Sequence, residues 1–156
     1  MKLFKCDHCG QPIYFENYFC VNCNAALGFD PQQMDMLSLQ ASANDAATYS
    51  AMGSENTLPF KYCSNNQYRV CNWLLPQNSL ESFCVACNLN QTIPDLSLPD
   101  HMEKWANIEK AKHRLVYSLL RFKLGVISKL QEEEKGIAFD FMAEENKGER
   151  LLTGHD

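Results

Sequence analysis

The 156-residue chain has no run of 18 or more apolar residues, so nothing in it suits a helical membrane span. Its opening, "MKLFKCDHCG", has two lysines but no apolar stretch behind them, so no secretory leader is expected. A basic excess is also missing. Lys and Arg total 14 against 19 Asp and Glu, a formal charge of −5 with His neutral. That balance argues against a broad nucleic-acid footprint, which needs a basic face, though it leaves room for a small basic patch. Catalytic signatures are absent too. There are four histidines and no His-Glu-x-x-His, no glycine-rich phosphate loop and no serine elbow.

Cysteine is abundant. Eight are present, all within the first 87 residues, in a chain that is 46% hydrophobic and 21% charged, as a globular protein is. With no leader, the expected compartment is the reducing cytoplasm, where paired cysteines bind metals or do redox work more often than they form structural disulfides.

The first set is Cys6, Cys9, Cys20 and Cys23, in the stretch "CDHCGQPIYFENYFCVNC". A Cys-x-x-Cys turn aims two sulfurs at one point, and two such turns at the ends of a hairpin make a tetrahedron around a zinc ion. Gly10 follows the first turn and Asn24 the second, both suited to the positive φ such a turn requires. The second set is Cys63, Cys71, Cys84 and Cys87. Only its last two form a tight pair, so its other turn is wider. Ligand exchange between the sets is possible on spacing alone, but local sets close shorter loops at lower entropic cost.

Other chemistries are open on the residues alone. An even number of thiols permits disulfides. A redox dithiol usually has one Cys-x-x-Cys beside a βαβ pattern, whereas three such pairs occur here. Four thiolates also suit iron, as in rubredoxin-like sites. Two complete four-thiolate shells leave no coordination position for water, so the metals are expected to be structural, replacing a hydrophobic core in segments too small to build one.

Along the chain, residues 1–28 hold the first set, 29–60 read as a connector with one strand candidate ("MDMLSLQ"), 61–96 hold the second set, and 97–156 lack cysteine. The last region has the strongest helix signal. Ser97 with Asp100 forms an acidic variant of the capping box, Pro99 suits an early position, and Gly125 suits a stop. Trp105, Ile108, Leu115, Leu119 and Phe122 recur at helical spacing and predict the buried face. Ile137, Phe139 and Phe141 alternate as in a short strand.

The remaining polar candidates read as surface. His8 is a spacer within a knuckle, although it could replace a cysteine ligand. His101 lies in the first helical turn, His113 sits between Lys112 and Arg114, and His155 is penultimate. Lys104, Lys110, Lys112, Arg114, Arg121 and Lys123 make a basic run, but Glu103 and Glu109 interrupt it, which favours a solvated face over a phosphate site. Glu132, Glu133 and Glu134 read as a solvated turn. Tyr14, Phe15, Tyr18 and Phe19 could stack on bases, but in a small ribbon they more often pack its faces.

Taken in order, "CDHCGQPIYFENYFCVNCNAALGFDP", "CNWLLP", "FCVACNLNQTIPDLS", "AKHRLVYSLLRFKLGV", "GIAFDFMAE" and "LLTGHD" resemble the N-terminal half of a bacterial family of zinc-ribbon proteins classed as zinc-binding metallopeptidases. The resemblance implies two zinc ribbons, one from each cysteine set. It further implies that the helix and the "GIAFDFM" strand open a zincin-like domain whose His-Glu-x-x-His motif follows in family members. This sequence does not contain that motif, so no catalytic residue is assigned, and the chain alone is expected to be inactive as a peptidase. It is either a truncation or a ribbon half that works alone.

The combined expectation is an α+β fold: two rubredoxin-like zinc-ribbon modules with two structural zinc ions, then a long amphipathic helix and a short strand. The expected role is the recognition and structural part of a metallopeptidase, acting on a protein partner or substrate, with nucleic acid not favoured. The alternatives are a stand-alone adaptor and an iron electron carrier.

Overall fold

The computed structural model describes residues 2–43, 45–53 and 58–144. The "LLTGHD" stretch and His155 lie outside the described residues. The fold is α+β, with a β-rich first part carrying both cysteine groups, one long helix and a short strand near the end.

β1 (Phe4–Lys5) and β2 (Pro12–Ile13) pair around the first cysteine turn, with Phe4 opposite Ile13. β3 (Ala26–Asp30), β4 (Asp35–Ala41), β5 (Tyr49–Ala51), β6 (Phe60–Tyr62) and β7 (Leu74–Pro76) form an antiparallel sheet in sequence order. The β3–β4 turn is held by the Gln32 N–H, which donates to Asp30 Oδ1, and by Met34 at φ 54°. The sheet curls back on itself. The Phe29 N–H donates to the Asn72 carbonyl, Phe29 bridges Trp73, and the Tyr62 hydroxyl donates to the Leu27 carbonyl.

The 29–60 stretch, expected to be mainly connector, therefore supplies much of the central sheet. The strand expected in "MDMLSLQ" is β4. Its apolar alternation works on both faces: Met36 joins the main core, while Leu37 and Leu39 join a smaller cluster with Ala51, Phe60 and Leu74. Two-sided packing of this kind weakens the one-face pattern that usually announces a strand.

The main core is a single cluster. It unites Phe4, Ile13 and Phe15 of the first cysteine region with Leu27, Phe29, Trp73 and Leu89, and with Trp105, Val116 and Tyr117 of the helix. Phe15 and Phe29 meet edge-on at 4.9 Å, and Phe15 lies 5.1 Å from Tyr117.

α1 (His101–Arg121) departs from expectation at both ends. The Ser97 capping box does not form. Ser97 instead bonds Asp95 Oδ1 through its N–H and hydroxyl, and Asp100, at φ 64°, precedes the helix with no side-chain cap. The stop comes before Gly125. Lys123 takes the left-handed conformation, its N–H bonds the Leu120 carbonyl, and the Leu124 N–H bonds that of Leu119, which is a Schellman motif. The buried face also differs. Trp105, Val116 and Tyr117 point inward with His101, Glu109, Lys112 and His113, while Ile108, Leu115 and Phe122 are exposed. Both stripes satisfy a 3.6-residue period. The inner one prevails because its aromatic rings fill the core and its polar groups find partners there.

β8 (Asn90–Thr92) pairs in parallel with β9 (Phe139–Asp140). Of the alternating trio, Phe139 and Phe141 pack against the core with stacked rings, while Ile137 is more exposed and bridges Ser128. Among the described residues, no helix is long and apolar enough to cross a membrane.

Candidate metal centres

The structure brings each cysteine set together, unmixed. Cys6, Cys9, Cys20 and Cys23 form one group and Cys63, Cys71, Cys84 and Cys87 the other, with the sulfurs of each group within 4.8 Å of one another. All eight are free thiols. In the first group Cys6 and Cys23 Sγ are 3.6 Å apart, and Cys9 and Cys20 Sγ 3.5 Å. In the second, Cys71 and Cys84 Sγ are 3.7 Å apart. Zinc–sulfur bonds of about 2.3 Å in a tetrahedron place the sulfurs about 3.8 Å apart, so the donor sets fit. A disulfide, at about 2.05 Å, they do not fit.

The first centre sits between two small hairpins. The Gly10 N–H bonds the Cys6 carbonyl and the Asn24 N–H that of Cys20, each closing a turn with positive φ at Gly10 (75°) and Asn24 (57°). Cys6 and Cys20 are buried, while Cys9 is exposed. Strand β4 reaches this centre through Ser38. The Asp7 N–H donates to Ser38 Oγ, the Ser38 N–H donates to Asp7 Oδ2, and Ser38 Oγ lies 3.2 Å from Cys6 Sγ.

The second centre is wholly buried. Its wide turn is a 3₁₀ segment, Ser64–Tyr68, closed by Arg69 in the left-handed conformation. Its tight turn is closed by the Asn88 N–H on the Cys84 carbonyl. The Trp73 N–H donates to Cys71 Sγ and the Cys84 N–H to Cys63 Sγ, both at 3.4 Å.

The thiol acidities explain why a cation belongs at each point. Hydrogen bonds from the Asn22 side chain and the Gln11 backbone hold the Cys9 thiol down at about 6. The Ala25 backbone N–H favours a thiolate at Cys23, yet burial and the neighbouring thiols Cys9, Cys20 and Cys6 push it up to about 12. In the second group, burial and neighbouring thiols raise Cys71 and Cys84, while hydrogen bonds from Cys63, Cys71 and Cys84 lower Cys87. Cys6 and Cys9 are lowered while Cys23 is raised, and Cys87 is lowered while Cys71 and Cys84 are raised, so thiolates form at their neighbours' expense. Four can coexist only with positive charge among them.

Several polar residues expected at the surface are not there. His113 and Lys112 are buried, as is Glu109. Glu109 Oε1 accepts from Lys112 Nζ (2.8 Å), Asn90 Nδ2 (2.8 Å) and Trp105 Nε1 (3.2 Å). His113 turns Nε2 toward Cys87 Sγ at 3.7 Å. His101 is buried between the Asp95 and Glu144 carbonyls. The only sequence signal for this cluster was the three- and four-residue spacing of Glu109, Lys112 and His113, which an exposed helix face shares. Other expectations hold: His8, Lys104, Lys110, Arg121 and Lys123 are exposed, and exposed Arg114 pairs with Glu16. Phe15 is buried, whereas Tyr14 and Phe19 are exposed.

Residues 3–98 match the family of zinc-ribbon domains. The chain belongs to that zinc-ribbon family. Its remainder, residues 101–156, matches the family described as "Putative zinc-binding metallo-peptidase". Three uncharacterized proteins, one from Mycobacterium bovis and two from strains of Mycobacterium tuberculosis, are each 32% identical to this zinc-ribbon protein over 155 residues. Those matches cover 99% of the chain, which spans 40% of the relatives' length. No solved structure matches. The two four-cysteine groups are thus two zinc-ribbon sites, and the metal they imply is zinc.

Proposed function

We propose that this zinc-ribbon protein is the recognition and structural part of a zinc metallopeptidase, with two zinc ions as staples and hydrolysis performed by chain outside this sequence. Cys6, Cys9, Cys20 and Cys23 hold the first ion, and Cys63, Cys71, Cys84 and Cys87 the second. The observation that carries this reading is that each set gathers four thiols at separations that suit a tetrahedral ion, with all but Cys9 in or against the one main core. Such a shell is closed, leaving no position for an activated water. Zinc binding at these points is folding free energy for the region. Reduced thiols in this number accord with a cytoplasmic setting.

The expected partner is a polypeptide. Beside Cys20, the first ribbon exposes Phe19 and Val21, the latter 82% accessible, an apolar tip that suits protein side chains better than phosphates. The chain's formal charge of −5 does not supply the broad basic face that nucleic acid requires.

Metal analysis, a hydrolysis assay and binding to an array of extended peptides test the reading on one preparation. Two zincs per chain, no cleavage, and peptide binding weakened by Val21→Asp are expected. Chelator-sensitive cleavage by the chain itself would overturn the division of labour. Iron in place of zinc would favour an electron carrier, and binding to nucleic acid but no peptide would favour an adaptor of another kind.

A further inference from the structure

Helix α1 lies outside both ribbons in sequence, yet it reaches the second metal centre. Cys87 Sγ is 3.7 Å from His113 Nε2, and both residues are buried. The other ring nitrogen, Nδ1, is 2.6 Å from the Glu109 carbonyl. A carbonyl can only accept, so Nδ1 carries a hydrogen and Nε2 is left for the sulfur.

Glu109 Oε2 is buried, has no hydrogen-bond partner among the described residues, and lies 3.5 Å from His113 Nδ1. The second carboxylate oxygen, Oε1, is taken by Lys112, Asn90 and Trp105. Asn90 also accepts from Lys112 Nζ and stands three residues after Cys87, at the start of β8. A four-thiolate zinc centre carries a formal charge of −2, and burying it without nearby positive charge is costly. Lys112, on α1, brings a positive side chain to this part of the core through Asn90.

We propose that His113 is a positioning residue of the second zinc centre, its ring set between Cys87 Sγ and the Glu109 carbonyl so that metal binding and docking of helix α1 are one coupled event. This rests on zinc at Cys63, Cys71, Cys84 and Cys87. Groups that hold metal ligands in place typically carry a ten- to hundredfold effect on metal affinity. The helix is therefore part of the centre, and the loss of zinc there loosens the helix.

The test uses the full chain loaded with zinc and a competing chromogenic chelator. The wild type is expected to hold two ions. In His113→Leu, one ion is expected to be lost about ten- to hundredfold more readily, with the other unchanged as an internal control. His113→Gln, whose terminal amide N–H can reach the same sulfur, is expected to restore most of the affinity. Amide exchange across residues 105–117 should accelerate in parallel with loss of that ion. If His113→Leu does not fold, the wild type decides: amide exchange across residues 105–117 is expected to accelerate when the chelator removes that ion. Exchange that does not respond, or a zinc shell of three sulfurs and one nitrogen by X-ray absorption, would overturn the proposal. Two zincs with an unresponsive His113→Leu would overturn this role alone. A wild type lacking the second zinc would overturn the site assignment with it.

Discussion

Ser38 Oγ lies 3.2 Å from Cys6 Sγ and accepts from the Asp7 N–H, so the middle of strand β4 is fastened to the first knuckle. The Ser38 hydroxyl hydrogen remains for the sulfur, and Ser38 is completely buried. Ser38→Ala removes that donor and strands the Asp7 amide. A loss of about 1–3 kcal/mol in unfolding free energy is expected, with weaker zinc retention at the first centre only. Denaturation with and without added zinc measures it. An unchanged midpoint would show that the hydroxyl contributes nothing.

The two centres should respond differently to loss of a ligand. Cys9 is exposed at the edge of its ribbon, whereas Cys71 is buried in the main core beside Trp73. Cys9→Ser is expected to give one zinc per chain, an open first ribbon and a retained α1. Cys71→Ser is expected to abolish the cooperative transition altogether. Metal analysis paired with circular dichroism separates the outcomes, and equal damage from both substitutions would contradict the assignment.

Glu109 and Lys112 form an ion pair at 2.8 Å with side chains almost without solvent access. Glu109→Ala leaves a buried ammonium without its carboxylate, and a cost of about 3–5 kcal/mol is expected. Replacing both residues with methionine should be much milder than either single loss, because no unpaired charge remains. Thermal melts of the three variants check this, and additive losses would refute it.

Gly28 is set by crowding rather than by φ. A Cβ placed there would lie 2.5 Å from Leu74 Cδ2, where the curled sheet brings β7 against β3. Gly28→Ala is expected to cost about 1–3 kcal/mol by overpacking. In a Leu74→Ala background its cost should nearly vanish. A double-mutant cycle in denaturant reads the coupling, and strict additivity would mean that the strands can separate freely.

How much could be read in advance follows the range of each interaction. The knuckle spacing and its flanking Gly10 and Asn24 act over a few bonds. Four sulfurs at those separations can meet at one ion whatever surrounds them, so the two metal centres and the positive φ values were legible. The helix was legible as a helix for the same reason, since its period is local. Which of its faces turns inward was not. Ile108, Leu115 and Phe122 make as regular a stripe as Trp105, Glu109, Lys112, Val116 and Tyr117, and only the shape and polarity of the opposing surface choose between them. Between residues 29 and 60 the β4 strand was legible, but β5 was not, because it is a short segment paired at only a few residues. Residues far apart in the chain came together only on folding: Ser38 with Cys6, Gly28 with Leu74, and His113 with Cys87. Those pairings depend on burial and excluded volume, which no short window of sequence contains.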